Sequence, residues 1–331
     1  MNLAIVGVTG LVGNTILKVL EERNTEIEEL IGCASAKSIG KEFTYKGRKI
    51  KVISIEDAIK QKPDIAVFSA GSKVSGEYAP KFAAAGTFVI DNSSQWRMKE
   101  NIPLIVPEVN AHILTENDRI IANPNCSTIQ LVVTLAPLHK RLKIKRIVIS
   151  TYQSVTGTGQ KAVAQMMDER ADKAADMVYK YRIDMNCFPH AGDFTDNGYT
   201  TEEMKLVNET RKILGDSSLL ISPTVVRIPV VGGHSESVNI EFENEVNAAQ
   251  VTKILSEAEG IVVLDDTANA VYPMPFYSQD KDEVFVGRIR DDISNKKAVN
   301  LWIVSDNLRK GAATNAIQIA EYITKNKLVM S

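Results

Sequence analysis

The sequence predicts an α/β fold: a Rossmann-like, doubly wound parallel sheet followed by an α+β region on a mostly antiparallel sheet. Three observations predict it. Strand-like apolar runs alternate with helix-like segments up to the stretch around Cys126, the pattern of a parallel sheet covered on both faces. Gly7-Val-Thr-Gly10-Leu-Val-Gly13 lies between the first strand and the first helix. Beyond that stretch the strands alternate apolar with polar residues, as in a sheet with one open or contact face.

Residues 3–8 read as a buried strand and 14–22 as an amphipathic helix. Between them Gly7 allows a tight turn, Gly10 lets backbone approach a pyrophosphate, and Gly13 lets helix and strand pack closely. A second strand, 29–34, runs into Ser35-Ala-Lys37-Ser38. NAD sites place a carboxylate here for the ribose 2′-hydroxyl; hydroxyls and a lysine suit a 2′-phosphate, so NADP is expected. The expected contacts are Thr9, Gly10, Leu11, Val12, Ser35, Lys37 and Ser38, with Ala70, Gly71, Thr156, Gly157, Pro189 and Asn307 added. Strands follow at 64–70, 87–91, 104–108 and around Ile120, with a helix over 75–85. Ligands of such sheets bind beyond the strand carboxyl ends, where Gly71, residues 92–97 and Cys126 fall.

The apolar run ending at Ala122 stops at Asn123-Pro124-Asn125-Cys126. Pro124 turns Asn123 away from helical geometry, and Ser127 and Thr128 are expected to cap the helix that follows. Cys126 therefore sits at a strand-to-helix corner, where unpaired N–H groups and the helix dipole favour a thiolate. Next come a strand at 145–152, a long helix over 160–181, a loop at 186–192 and a helix over 201–214. Strands at 225–230, 237–243, 284–290 and 298–304 complete the second region, with a helix over 247–259. Residues 307–331 are expected to return to the first domain, which otherwise spans 1–125; the second spans 126–306.

Composition narrows the function classes. The 331 residues are 44% hydrophobic and 24% charged, enough for a sizeable core. A net charge of −2 without a basic stripe argues against nucleic acid and membrane surfaces as partners. No apolar run approaches the roughly 20 residues of a membrane span, and no secretory pattern opens the chain. Three dispersed cysteines and four histidines show no metal-ligand spacing, so no metal and a reducing, cytoplasmic setting are expected.

Taken in order, Gly-x-Thr-Gly-x-Val-Gly, Asn-Pro-Asn-Cys-Ser-Thr, Tyr-Gln-x-x-x-Gly, Glu-x-x-Lys, Arg-x-Pro-Val-x-x-Gly-His and Asp-Asn-Leu-x-x-Gly-Ala-Ala span the chain. This ordered set resembles the bacterial aspartate-β-semialdehyde dehydrogenase family. The resemblance implies a catalytic and dimerisation domain like that of glyceraldehyde-3-phosphate dehydrogenase, in a homodimer or homotetramer. It implies interconversion of aspartate 4-semialdehyde, inorganic phosphate and NADP+ with aspartyl phosphate and NADPH, on the route to lysine, methionine and threonine.

Cys126 would form the thioester, His234 would serve as acid and base, and Gln153 would orient the substrate beside the cysteine. Arg227 suits the substrate carboxylate, Glu202 its ammonium group, and Lys205 with Arg97 the phosphate. Asn125 is a candidate donor to the developing oxyanion. N-acetyl-γ-glutamyl-phosphate reductase and acyl-CoA reductase use the same framework, and a catalytically silent NADP-binding relative is the alternative from a different class.

Overall fold

The structure, a computed structural model, describes residues 1–328. The end of the expected 307–331 segment, residues 329–331, lies outside the described residues. The chain forms two compact units, Met1–Asn125 with the segment from Ala312, and Cys126–Gly311. The return thus begins at Ala312, and Asn307 belongs to the second unit.

The first unit contains β1 (Asn2–Val6), α1 (Leu11–Glu22), β2 (Glu29–Cys33), β3 (Glu42–Tyr45), β4 (Arg48–Lys51), α2 (Ile55–Lys60), β5 (Ile65–Phe68), α3 (Ser72–Ala84), β6 (Phe88–Asp91), α4 (Pro107–Asn110) and β7 (Ile120–Ala122). Its main sheet has the order β2-β1-β5-β6-β7, with parallel pairing throughout. The strands are continuous apolar runs because both faces are covered. One face packs Ile5, Val67 and Ile90 with Ile16 and Leu20 of α1; the other packs Val6, Ala66 and Phe68 with Ala58 of α2 and Phe82 of α3. The expected strand at 104–108 is absent as such. Leu104 makes a single bridge to Ala122, and Pro107 opens α4 at a position where its missing N–H costs nothing.

The second unit contains α5 (Cys126–Leu142), β8 (Ile144–Ser154), α6 (Gln160–Arg170), α7 (Thr201–Leu214), β9 (Leu220–Ile228), β10 (His234–Phe242), α8 (Ala248–Ser256), β11 (Ile261–Val263), α9 (Pro275–Ser278), β12 (Val284–Asp291) and β13 (Ala298–Ser305). The last helix, α10 (Thr314–Lys325), lies in the first unit and adds Ile317 and Ile323 to its core. The second sheet runs β11-β12-β13-β10-β8-β9, with the three central pairings antiparallel and the two outer ones parallel. Ile147, Ile149, Val238, Ile240, Leu301 and Ile303 are buried, and α5 packs on this sheet. Alternating with them, Val148, Ser150, Tyr152, Asn239 and Trp302 form a half-buried opposite face.

The helix expected over 160–181 ends at Arg170. Two buried side chains draw the following chain into a loop. Gln165 Oε1 accepts the Val178 and Tyr179 N–H groups, and Glu169 Oε2 accepts those of Ile183 and Asp184. Glu169 is the hub, and its carboxylate also receives Gln165 Nε2 at 2.7 Å. Glu169→Ala strands these donors and should cost about 2 kcal/mol or more. A lowered urea midpoint with faster proteolysis within residues 171–184 is the expected result.

Candidate active site

Cys126 is the first residue of α5 and is partly exposed. Ser127 and Thr128, expected as caps, instead lie inside the first helical turn and are buried. The helix begins one step early because Asn123-Pro124 already breaks the chain. Ser127 Oγ accepts Gln153 Nε2 at 2.8 Å, joining the end of β8 to the start of α5.

Gln153 Nε2 also lies 3.5 Å from Glu202 Oε1, in the first turn of α7. That turn is held by a reciprocal cap between Thr200 and Glu203, which leaves Glu202 and Lys205 on one helical face. Lys205 Nζ donates to Glu202 Oε2 at 2.8 Å, so an anion and a cation stand side by side next to Gln153.

Arg227 is held from two sides. Its backbone exchanges hydrogen bonds with Phe188, at 2.8 and 2.9 Å, and its Nη1 donates to Ser154 O at 2.6 Å. Its Nε–H is buried without a protein partner, a donor placed for an incoming anion. Arg227 also lines a cavity of about 560 Å³ with Tyr179, Phe188, Pro189 and Phe194.

His234 is fully buried at the start of β10. Its Nδ1 accepts the Ser154 N–H at 3.0 Å, which assigns the proton of the neutral ring to Nε2; Nε2 itself has no protein partner. Burial foremost, then the Arg227 charge, pushes its pKa down to about 3, against an opposing pull from Glu202. The ring is therefore neutral and donates from Nε2. This arrangement leaves Nε2–H as the ring's available donor, because the Nδ1 lone pair is already in use.

Gly157 explains how Arg227 and His234 come together. A Cβ there would stand 3.0 Å from Arg227 Nη1 and 3.2 Å from His234 Nε2. Gly311 plays the same part at Cys126, since a Cβ would stand 2.8 Å from Cys126 Cβ. The site thus offers a thiol at a helix start, a neutral imidazole donor, a guanidinium and a Glu–Lys pair.

Comparison with known proteins shows the family. Residues 2–116 match the semialdehyde dehydrogenase NAD-binding domain, and 135–310 the semialdehyde dehydrogenase dimerisation domain. The aspartate-semialdehyde dehydrogenase of Aquifex aeolicus is 48% identical, covering 98% of both chains. The chain belongs to the aspartate-semialdehyde dehydrogenase family. A crystal structure of aspartate semialdehyde dehydrogenase II complexed with ASA, from Vibrio cholerae, matches with TM-score 0.93 and 43% identity over 98% of each chain. The enzyme from Candida albicans, solved with NADP, matches with TM-score 0.78 and 25% identity over 99% of each.

The remaining positions expected of a member of the aspartate-semialdehyde dehydrogenase family fall in both units. In the first, Gly7 takes φ 91°, Gly10 precedes α1, and Leu11 and Val12 open it. A Cβ on Gly13 would strike the Gly7 and Val8 carbonyls. Thr9 Oγ1 lies 3.4 Å from Ser38 Oγ, so the glycine turn and the polar turn of Ser35, Lys37 and Ser38 meet; Lys37 is exposed. Ala70 and Gly71 follow β5, and Gly71 starts α3 at φ 84°. In the second unit Thr156 Oγ1 donates to Asn307 Oδ1 at 2.9 Å, which brings two distant candidates together.

Arg97 is buried in the first unit, with Nε donating to Asn123 O at 2.9 Å and Nη2 to Asn92 O at 2.7 Å. Asn123 in turn binds Asn92 and receives Asn315 Nδ2 at 2.6 Å. Asn125 is buried where β7 gives way to α5. Asn315 was not among the expected residues, and Gly311 stood only as a motif position with no role attached. Their signal was weak but present: an asparagine inside a helix and a glycine amid good helix formers need a tertiary reason.

Gly157→Ala should lower kcat/KM about tenfold to a hundredfold by displacing Arg227 or His234. Gly157 does not occupy the left-handed region, so the unfolding midpoint should stay close to the parent. Steady-state kinetics and thermal unfolding of the one variant check both halves.

Proposed function

We propose that the protein interconverts aspartate 4-semialdehyde, phosphate and NADP+ with aspartyl phosphate and NADPH through a thioester on Cys126. The observation that carries this reading is the shared position of Gln153. It hydrogen-bonds the helix that begins with Cys126 and reaches Glu202, beside Lys205.

The first unit suits a nucleotide on its own evidence. The Gly7–Gly13 turn is a cradle that added Cβ atoms would fill, and Ser35, Lys37 and Ser38 present hydroxyls and a cation but no carboxylate. That donor set favours a 2′-phosphate and hence NADP. When bound, the nucleotide supplies or takes the hydride.

The protein residues handle everything else. In the oxidative direction the Cys126 thiolate attacks the aldehyde carbon, and the C=O pair moves onto oxygen. His234 donates a hydrogen bond from Nε2 to that oxygen, stabilising it without a proton being transferred. Loss of hydride re-forms C=O and leaves a thioester. Phosphate oxygen then attacks, the C–S bond breaks, and the thiolate is restored while the proton carried by phosphate is released. Arg227 receives the substrate carboxylate and Glu202 its ammonium group. Lys205 binds phosphate, and Arg97 is the second phosphate cation on the family pattern. A ligand acetylated on its amine would have no cation for Glu202, which argues against the N-acetyl-γ-glutamyl-phosphate reductase reading.

The biosynthetic direction is the reverse, toward semialdehyde for lysine, methionine and threonine. The dispersed free cysteines suit the cytoplasm, and the dimerisation-domain match suits a homodimer. Among the described residues no helix is long and apolar enough to cross a membrane, and no cluster could hold a metal ion.

Cys126→Ala should abolish turnover while leaving NADPH binding, followed by fluorescence titration, within about twofold. Survival of turnover would reject the thioester. Lys205→Ala should raise KM for phosphate about tenfold or more and KM for the semialdehyde far less. Equal changes in the two constants would remove Lys205 from the phosphate site.

A further inference from the structure

One group in the second unit has no part in the mechanism above. Glu236 is completely buried, and neither carboxylate oxygen has a hydrogen-bond partner. It lies two residues after His234 on β10, so both side chains leave the same face of the sheet. Its neighbours in register are Thr151 of β8 and Ile303 of β13. Thr151 Oγ1 is also buried without a partner.

The opposing element is α5. Gln130 lies four residues after Cys126, on the same side of the helix, and is buried with both amide atoms unpartnered. Gln130 is nevertheless close enough to oppose the rise in the Glu236 pKa that burial causes. The two ends face each other without a bond of normal geometry. Their terminal torsions are soft, so a small rotation closes the pair.

The chemistry of that contact is specific. A carboxylic acid and a carboxamide each offer one donor and one acceptor and can satisfy each other in a cyclic pair. A carboxylate in that place would turn a lone pair toward the amide oxygen and be strongly penalised by burial. Leaving all four atoms unmade would be strongly unfavourable.

We propose that Glu236 is a positioning residue which, as the neutral acid paired with Gln130, ties the helix that carries Cys126 to the strand that carries His234. It touches neither substrate nor nucleotide. It sets the approach of the sulfur to the imidazole from behind. The inference rests on the thioester reading above.

The test compares Glu236→Met and Glu236→Gln in the full-length enzyme. Two readouts apply: steady-state kinetics, and the pH dependence of iodoacetamide alkylation at Cys126. The Met side chain keeps the volume but cannot pair. Its kcat should fall tenfold or more with KM for the semialdehyde changed less than about threefold, and the alkylation profile should shift. Glu236→Gln keeps a cyclic pair, amide to amide, and should restore both readouts to within about threefold of the parent. Parental behaviour of the Met variant overturns the proposal. So does a Gln variant as impaired as the Met variant, because the ionised form would then be the working one.

If Glu236→Met does not fold, Gln130→Met carries the same expectation. Failure of both to fold, with Glu236→Gln parental, would make the pair a folding element and overturn the positioning role. Full turnover after complete alkylation of Cys126 would instead reject the thioester reading itself. Parental behaviour of the Met variant with Cys126 still essential rejects only the role of Glu236.

Discussion

The start of α5 constrains the second unit more than any other feature. Its first residue is Cys126, its second binds Gln153, and nearly every residue of its first turns is buried. A helix so enclosed cannot slide or rotate without opening close-packed contacts, so the position of Cys126 is inherited from the core rather than from a flexible loop. The Asn-Pro-Asn break makes this possible, ending β7 abruptly and releasing the chain into helix at the cysteine.

Around that fixed point the charges are arranged to hold one another in place. Glu202 and Lys205 form an ion pair at 2.8 Å beside Gln153. Complete burial, and then the Arg227 guanidinium, keep His234 uncharged, while the Ser154 N–H dictates which nitrogen carries the proton. A neutral donor in a dry site stabilises a transient oxyanion without stabilising a competing charged resting state. The same burial that tunes His234 isolates Glu236, two residues away, and the two effects have one origin in the apolar filling between α5 and its sheet.

Much of this was legible beforehand because it depends on local chemistry. Strand–helix alternation, the glycine turn before α1 and the corner at Cys126 follow from periodicity and from the backbone limits of glycine and proline. Errors arose where a remote group intervened. The α6 helix ends early because Gln165 and Glu169 capture backbone donors from residues 178–184, an alternative that no helical pattern discloses. Ser127 reads as a cap by type, yet its hydroxyl serves Gln153, 26 residues away. Arg97 was recognised as a cation, but the asparagine frame around its carbonyl partners includes Asn315, far along the chain.

The sequence by itself determined the class of fold, the corner that carries Cys126 and the set of charged groups, since these depend on which side chains exist and on short-range backbone preference. Only the tertiary structure decided which nitrogen of His234 bears the proton, why Gly157 and Gly311 must lack side chains, and that Glu236 faces Gln130. Each of those depends on what an atom meets across strands and helices distant in the chain, and contact of that kind leaves no period or spacing to read.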